Sequence, residues 1–82
     1  MKTMTNLAEV LLINTKNYPK MYASDSEALI MRVSTILEMA DENFNCEDFY
    51  KKHLNIENLK KDFDEQWVNC LIDDALSIIK NI

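Results

Sequence analysis

An 82-residue chain that is 48% hydrophobic and 28% charged has the composition of one small folded domain and is too apolar for a disordered one. Its net charge of −5 opposes binding to nucleic-acid phosphates or anionic lipid and favours protein or small-molecule partners, basic surfaces above all. Zero glycine excludes the Walker loop, the Rossmann fingerprint, the nucleophile elbow and the standard calcium loop, and leaves nine asparagines to take capping and positive-φ positions.

The first helix is predicted from about Thr5 to Lys16, stopped by Asn17 and by Tyr18, which precedes Pro19. Its apolar residues, Leu7, Ala8, Val10, Leu11, Leu12 and Ile13, point almost all round the axis, unlike those of a one-faced surface helix. Such a helix is either central to the core or turns one face to a partner. The following stretch NYPKMY brings together Tyr18, Met21 and Tyr22. Rings and methionines of this kind are typical of contact surfaces, yet they can also fold back over the end of the core, and sealing is the expectation here.

In the second helix Ser24 and Glu27 have the spacing of a capping box, in which a hydroxyl and a carboxylate satisfy free backbone N–H groups reciprocally. Leu29, Val33, Ile36, Leu37, Ala40 and Phe44 then trace one stripe, with Ser34, Glu38, Asp41 and Glu42 on the other side. Met31 projects from that polar side and is assigned to the same surface as the NYPKMY residues. Asn45 with Asp48 predicts a short helix through CEDFYKKHL, ending near Leu54, and Asn55 predicts another through IENLKKDF.

The last helix carries Trp67, Val68, Leu71, Ile72, Ala75, Ile78 and Ile79 on a wide face, with Asn69, Asp73, Ser77 and Lys80 on the reverse. A single helix from residue 56 would put Lys60 and Asp64 inside the apolar face, so a break is expected near Asp64. Asp64 would cap the helix, Phe63 and Val68 would form a hydrophobic staple, and Cys70 would fill space beside Trp67 and Leu71. Together these elements predict an all-α fold, a compact bundle of four to five helices with short connections, forming a single domain over residues 1–82.

Few residue constellations carry chemistry. Cys46, His53 and Cys70 are the soft or borderline metal ligands, and none forms the close pair that structural zinc sites use, so no metal is expected. His53 is better placed as a cation-capable helix end. Adjacent carboxylates such as Asp41 and Glu42 diverge by about 100° on a helix and do not converge on a substrate. Asp74 alone lies near the apolar stripe. It could be a catalytic carboxyl of raised pKa, but acceptance of a bond from Trp67 or a tyrosine is expected, since no His, Lys or Ser obviously partners it. Lys51, Lys52, His53, Lys60 and Lys61 form a basic island that fits the last turns of short helices.

The N-terminal segment does not read as a secretion signal, because Glu9 interrupts its apolar run, and the longest apolar runs are four residues, too short to span a membrane. Free thiols and a reducing, cytoplasmic setting are therefore expected.

The stretch SDSEALIMRV resembles the serine-bearing helix start of acyl carrier proteins. That resemblance implies phosphopantetheine on Ser26, preceded by Asp25. It lacks the family's glycine before the motif, and Glu27 stands where the family has leucine. Separately, the size, the Asn/Lys/Ile-rich, glycine-free composition and the opening MKTMTNLAEVLLINTKNYPK resemble small cytoplasmic regulators of T-even bacteriophages, lysis-inhibition accessory proteins among them. This second resemblance implies a partner in the lysis machinery, such as the cytoplasmic part of a holin.

The sequence thus points to a non-enzymatic regulator that binds another protein, with no cofactor, no nucleic acid and no membrane insertion. Leu12, Ile13, Tyr18, Met21, Tyr22 and Met31 are the candidate contact residues. A carrier protein modified on Ser26 and a structural domain that assembles with a second copy of itself are the alternatives.

Overall fold

The computed structural model describes residues 2–54 and 64–81, with side chains from Thr5 onward. It has the expected all-α architecture. Helix α1 (Lys2–Asn17) starts earlier than the apolar pattern suggests, because Lys2, Thr3 and Met4 extend it at little conformational cost. It stops where proline chemistry requires. Tyr18 still donates its N–H to the Asn14 carbonyl at 3.0 Å, but its φ of −136° has left the helical region, as the residue before a proline must. Pro19 then opens a single helical turn, α2 (Pro19–Tyr22), closed by the Ala23 N–H on the Pro19 carbonyl at 3.1 Å.

Helix α3 (Ser26–Ala40) is capped by Asp25, not by Ser24. The Asp25 carboxylate accepts the Ala28 N–H at 2.8 Å, whereas Ser24 lies exposed one residue outside and Glu27 turns away to Tyr50. A carboxylate at the positive end of a helix is the stronger acceptor, and it displaces the predicted capping box. The helix also ends sooner than its stripe suggested. Asp41 accepts the N–H of Asn43 at 3.0 Å, a local turn that competes with further helix, so Phe44 reaches the core from beyond α3.

Helix α4 (Cys46–His53) begins as expected on Asn45, whose side chain accepts the Asp48 N–H at 3.0 Å. Helix α5 (Glu65–Lys80) follows Asp64, which supplies its backbone carbonyl to Val68 at 2.9 Å but makes no side-chain cap. The predicted helix IENLKKDF, the staple partner Phe63 and the cations Lys60 and Lys61 lie outside the described residues.

One apolar cluster holds the helices together. α1 packs on α3 and α5, and α3 packs in turn on α4 and α5. Leu12, Leu29, Leu37, Leu71 and Ile72 have no exposed surface, and each contributes about 1.5–3 kcal/mol by leaving water. Three sequence expectations change at this level. Ser34 is buried rather than on the polar side, because α4 covers that flank of α3. Cys70 is exposed and fills no core space, and Trp67 is a half-buried ring at the edge of the cluster.

Polar ties fix the helices relative to one another. Arg32 donates through Nε to Thr15 Oγ1 at 2.9 Å while its guanidinium sits 4.0 Å above the Tyr22 ring, linking α3 to both α1 and α2. Lys16 reaches Asp73 on α5 at 2.9 Å. No described residue has positive φ, so the asparagines expected in left-handed positions do not occupy them there. No helix among the described residues is long and apolar enough to cross a membrane.

Candidate functional site

The composition of α1 exceeds what two neighbouring helices can cover. Ala8, Leu12 and Thr15 face inward and are fully buried, with Leu11 partly so. Leu7, Val10 and Ile13, spaced three residues apart, step across the outer face with 46%, 55% and 41% of their surface exposed. Adjacent positions in such a row lie on neighbouring turns, so the three side chains form one apolar ridge. α2 continues the exposed apolar character, since none of its residues is buried and Met21 is 76% exposed.

The six predicted contact residues therefore separate. Leu12 is removed from the set: it is a core residue, because its position on α1 points between α3 and α5. Ile13, Tyr18, Met21 and Tyr22 are exposed around α1 and α2. Tyr18 and Met21 do not fold back to seal the core, and Tyr22 is held at the surface by the Arg32 guanidinium. Met31 is exposed too, but it borders a groove between α3 and α4 beside Cys46 and Tyr50, apart from the hollow that Tyr22 shares with Leu11 and Met39. Leu7 and Val10 belong to the apolar surface and were missed. Their exposure depends on which arc of an all-round apolar helix the neighbours leave open, and sequence alone does not fix that arc.

Charge marks the same division. Glu9 is the only carboxylate in the first 24 residues, and the other thirteen follow from Asp25 onward. Of the lysines near α2, Lys16 is paired with Asp73 while Lys20 is exposed. The apolar ridge is thus nearly uncharged on an acidic molecule. This asymmetry is present in the sequence itself.

The groove beside Met31 has the opposite character. Tyr50 donates its hydroxyl to Glu27 at 2.8 Å, and Cys46 donates its thiol to Glu38. Burial pushes the Cys46 thiol up to about 11, with the Glu38 hydrogen bond and charge adding to the effect. The Tyr50 phenol is raised as well, first by its hydrogen bond to Glu27. A thiol held protonated in this way is a poor nucleophile.

Asp74 has partners that the sequence did not suggest. His53 Nε2 lies 2.7 Å and Lys52 Nζ 3.0 Å from the same carboxylate oxygen. Burial raises the Asp74 carboxyl, but hydrogen bonds from His53 and Lys52, together with their charges, outweigh it, and the net direction is down. An ionised carboxylate between two basic side chains is a tie between α4 and α5, rather than a general acid of raised pKa. His53 does stand at the end of α4, its ring tilted against Phe49 with centroids 4.6 Å apart, yet its polar contact goes to α5.

Ser26 opens α3 and is only 3% exposed. A carrier serine must offer its hydroxyl to a modifying enzyme, so this burial speaks against phosphopantetheine attachment. Among the described residues, no group of three or more His, Cys, Asp or Glu side chains is placed to hold a metal, and Cys46 and Cys70 are both free. No protein-family model, curated protein or solved structure matches the chain.

Proposed function

We propose that this chain is a non-enzymatic regulator that works by binding another protein through the outer face of α1 and the adjoining turn α2. The observation that carries this reading is the exposed ridge of Leu7, Val10 and Ile13. The exposed part of these side chains stabilises nothing where it is, and covering it with a partner returns roughly 25 cal/mol for each Å² removed from water. Exposed aromatic and methionine side chains at Tyr18, Met21 and Tyr22 extend the contact with residue types favoured at interface centres. On the resemblance to small phage regulators, the partner is a component of the lysis machinery, the cytoplasmic part of a holin, and the chain acts in the cytoplasm by holding that partner inactive.

A second copy of the chain is the alternative occupant, favoured by one observation. Two acidic molecules repel least where carboxylates are scarcest, and that is the α1 face. Affinity capture from the host with the wild-type chain and with Val10→Asp/Ile13→Asp, alongside light scattering of both, separates the cases. A partner retained by the wild type and lost by the variant supports regulation. Dimerisation abolished by the variant, without a captured partner, assigns the face to self-assembly. A wild type that stays monomeric and captures nothing overturns both.

A further inference from the structure

We infer that the groove between α3 and α4 is a docking site for a basic peptide segment of a protein partner, with its arginine or lysine side chains on Glu27 and Glu38. This rests on the protein-binding reading but concerns a surface separate from the α1 ridge. Glu27, Met31, Ser34 and Glu38 recur along α3 at steps of four, three and four residues, which places them on one stripe facing α4. The backbone positions of Glu27 and Glu38 stand about 16 Å apart along the helix axis at 1.5 Å per residue. Cys46 and Tyr50, one turn apart on α4, form the opposite wall.

Charge selects the occupant. The groove has a volume of about 470 Å³, and no lysine, arginine or histidine among the described residues lines it. Both carboxylates have neutral partners, a phenol on Glu27 and a thiol on Glu38, and no cation of the described residues is paired with either. Glu47, the third acid of the groove, already has Lys51 at 3.1 Å. Burial first keeps the proton on Cys46 and the Glu27 hydrogen bond first keeps it on Tyr50, and the charges of Glu38 and Glu27, which add to both effects, also draw a guanidinium in. Between the two acids, Ser34 lines the groove, its hydroxyl buried and without a hydrogen-bond partner among the described residues. Met31, 57% exposed, offers an apolar rest for the stem of a basic side chain, and the Tyr50 ring offers a face to its charge. An extended segment covers ~3.3 Å per residue, so basic residues about four or five apart match the two acids.

The test is calorimetric titration of the full chain with a blocked synthetic peptide bearing two arginines at that spacing, while methionine methyl resonances are followed by NMR. Saturable binding is expected, with the Met31 methyl moving and the Met21 methyl unchanged. Glu27→Gln/Glu38→Gln keeps acceptors for Tyr50 and Cys46 and should bind roughly tenfold more weakly. Glu42→Gln/Glu65→Gln removes the same charge outside the groove and should change affinity by less than about twofold. Absence of saturable binding, an equal loss in both double variants, or a shift centred on Met21 would each overturn the site. Capture of a partner through the α1 ridge is read independently: peptide failure with successful capture removes the groove alone, and the converse removes the ridge alone.

Discussion

Asp25 and Asp64 each stand one residue ahead of a helix, and only Asp25 has its carboxylate on a backbone N–H. The distinction has an energetic consequence. A side-chain cap satisfies a donor that the helix cannot satisfy itself, whereas an uncapped carboxylate offers only its weaker attraction to the helix end. Asp25→Ala should therefore lower stability by about 1 kcal/mol, and Asp64→Ala by only a few tenths, as read from urea midpoints. Equal losses would mean that Asp64 closes onto its helix in solution. Residue type alone makes the two positions look alike. What separates them is the chain direction on entry, which at Asp25 comes from the turn after α2. The same limit explains Glu27, which has the right spacing for a capping box but finds a better donor in Tyr50, 23 residues away.

α4 is the shortest of the packed helices, and its hold on the rest combines Phe49 in the core with the tie to Asp74 on α5. Because the Asp74 carboxyl is lowered on folding, its contribution is present above the pH where an unfolded aspartate titrates. That contribution disappears as pH falls through the lower folded value. Asp74→Asn should cost about 1–2 kcal/mol at neutral pH, and the difference from wild type should shrink below about pH 4. Urea unfolding across that range checks the prediction, and a pH-independent difference would show that packing, not charge, is lost. Much at this scale is legible in the sequence. The periodicity of α3 and α5, the Asn45 cap and the proline-enforced end of α1 are all local features, fixed by residues within a few positions. The His53–Asp74 contact is not local. It depends on how α4 crosses α5, and nothing around His53 or Asp74 encodes that crossing. Burial of Ser34 was hidden for the same reason, since a serine on the flank of α3 reads as solvated until α4 covers it.

For the molecule as a whole, one fact organises both candidate surfaces: among the described residues six of the eight large exposed hydrophobics lie in the first 24 positions, and thirteen of the fourteen carboxylates follow them. α1 therefore serves two purposes with residues that adjoin in sequence, and substitution should separate them. Leu12→Ala leaves a cavity in the core and should cost about 2–5 kcal/mol, whereas Ile13→Ala, on the exposed arc, should cost under about 0.5 kcal/mol. Thermal or urea unfolding of the two variants decides this, and comparable losses would place both residues in the core. The backbone has a consequence of its own. With zero glycine in the chain and no left-handed position among the described residues, the described connections are made from ordinary conformations. Glycine confers extra freedom on an unfolded chain, and each one omitted spares roughly 0.5–1 kcal/mol of ordering entropy on folding. A domain this small has little apolar area to offset that entropy. Part of its stability therefore resides in the state it leaves, an unfolded ensemble already narrowed by the absence of its most permissive residue.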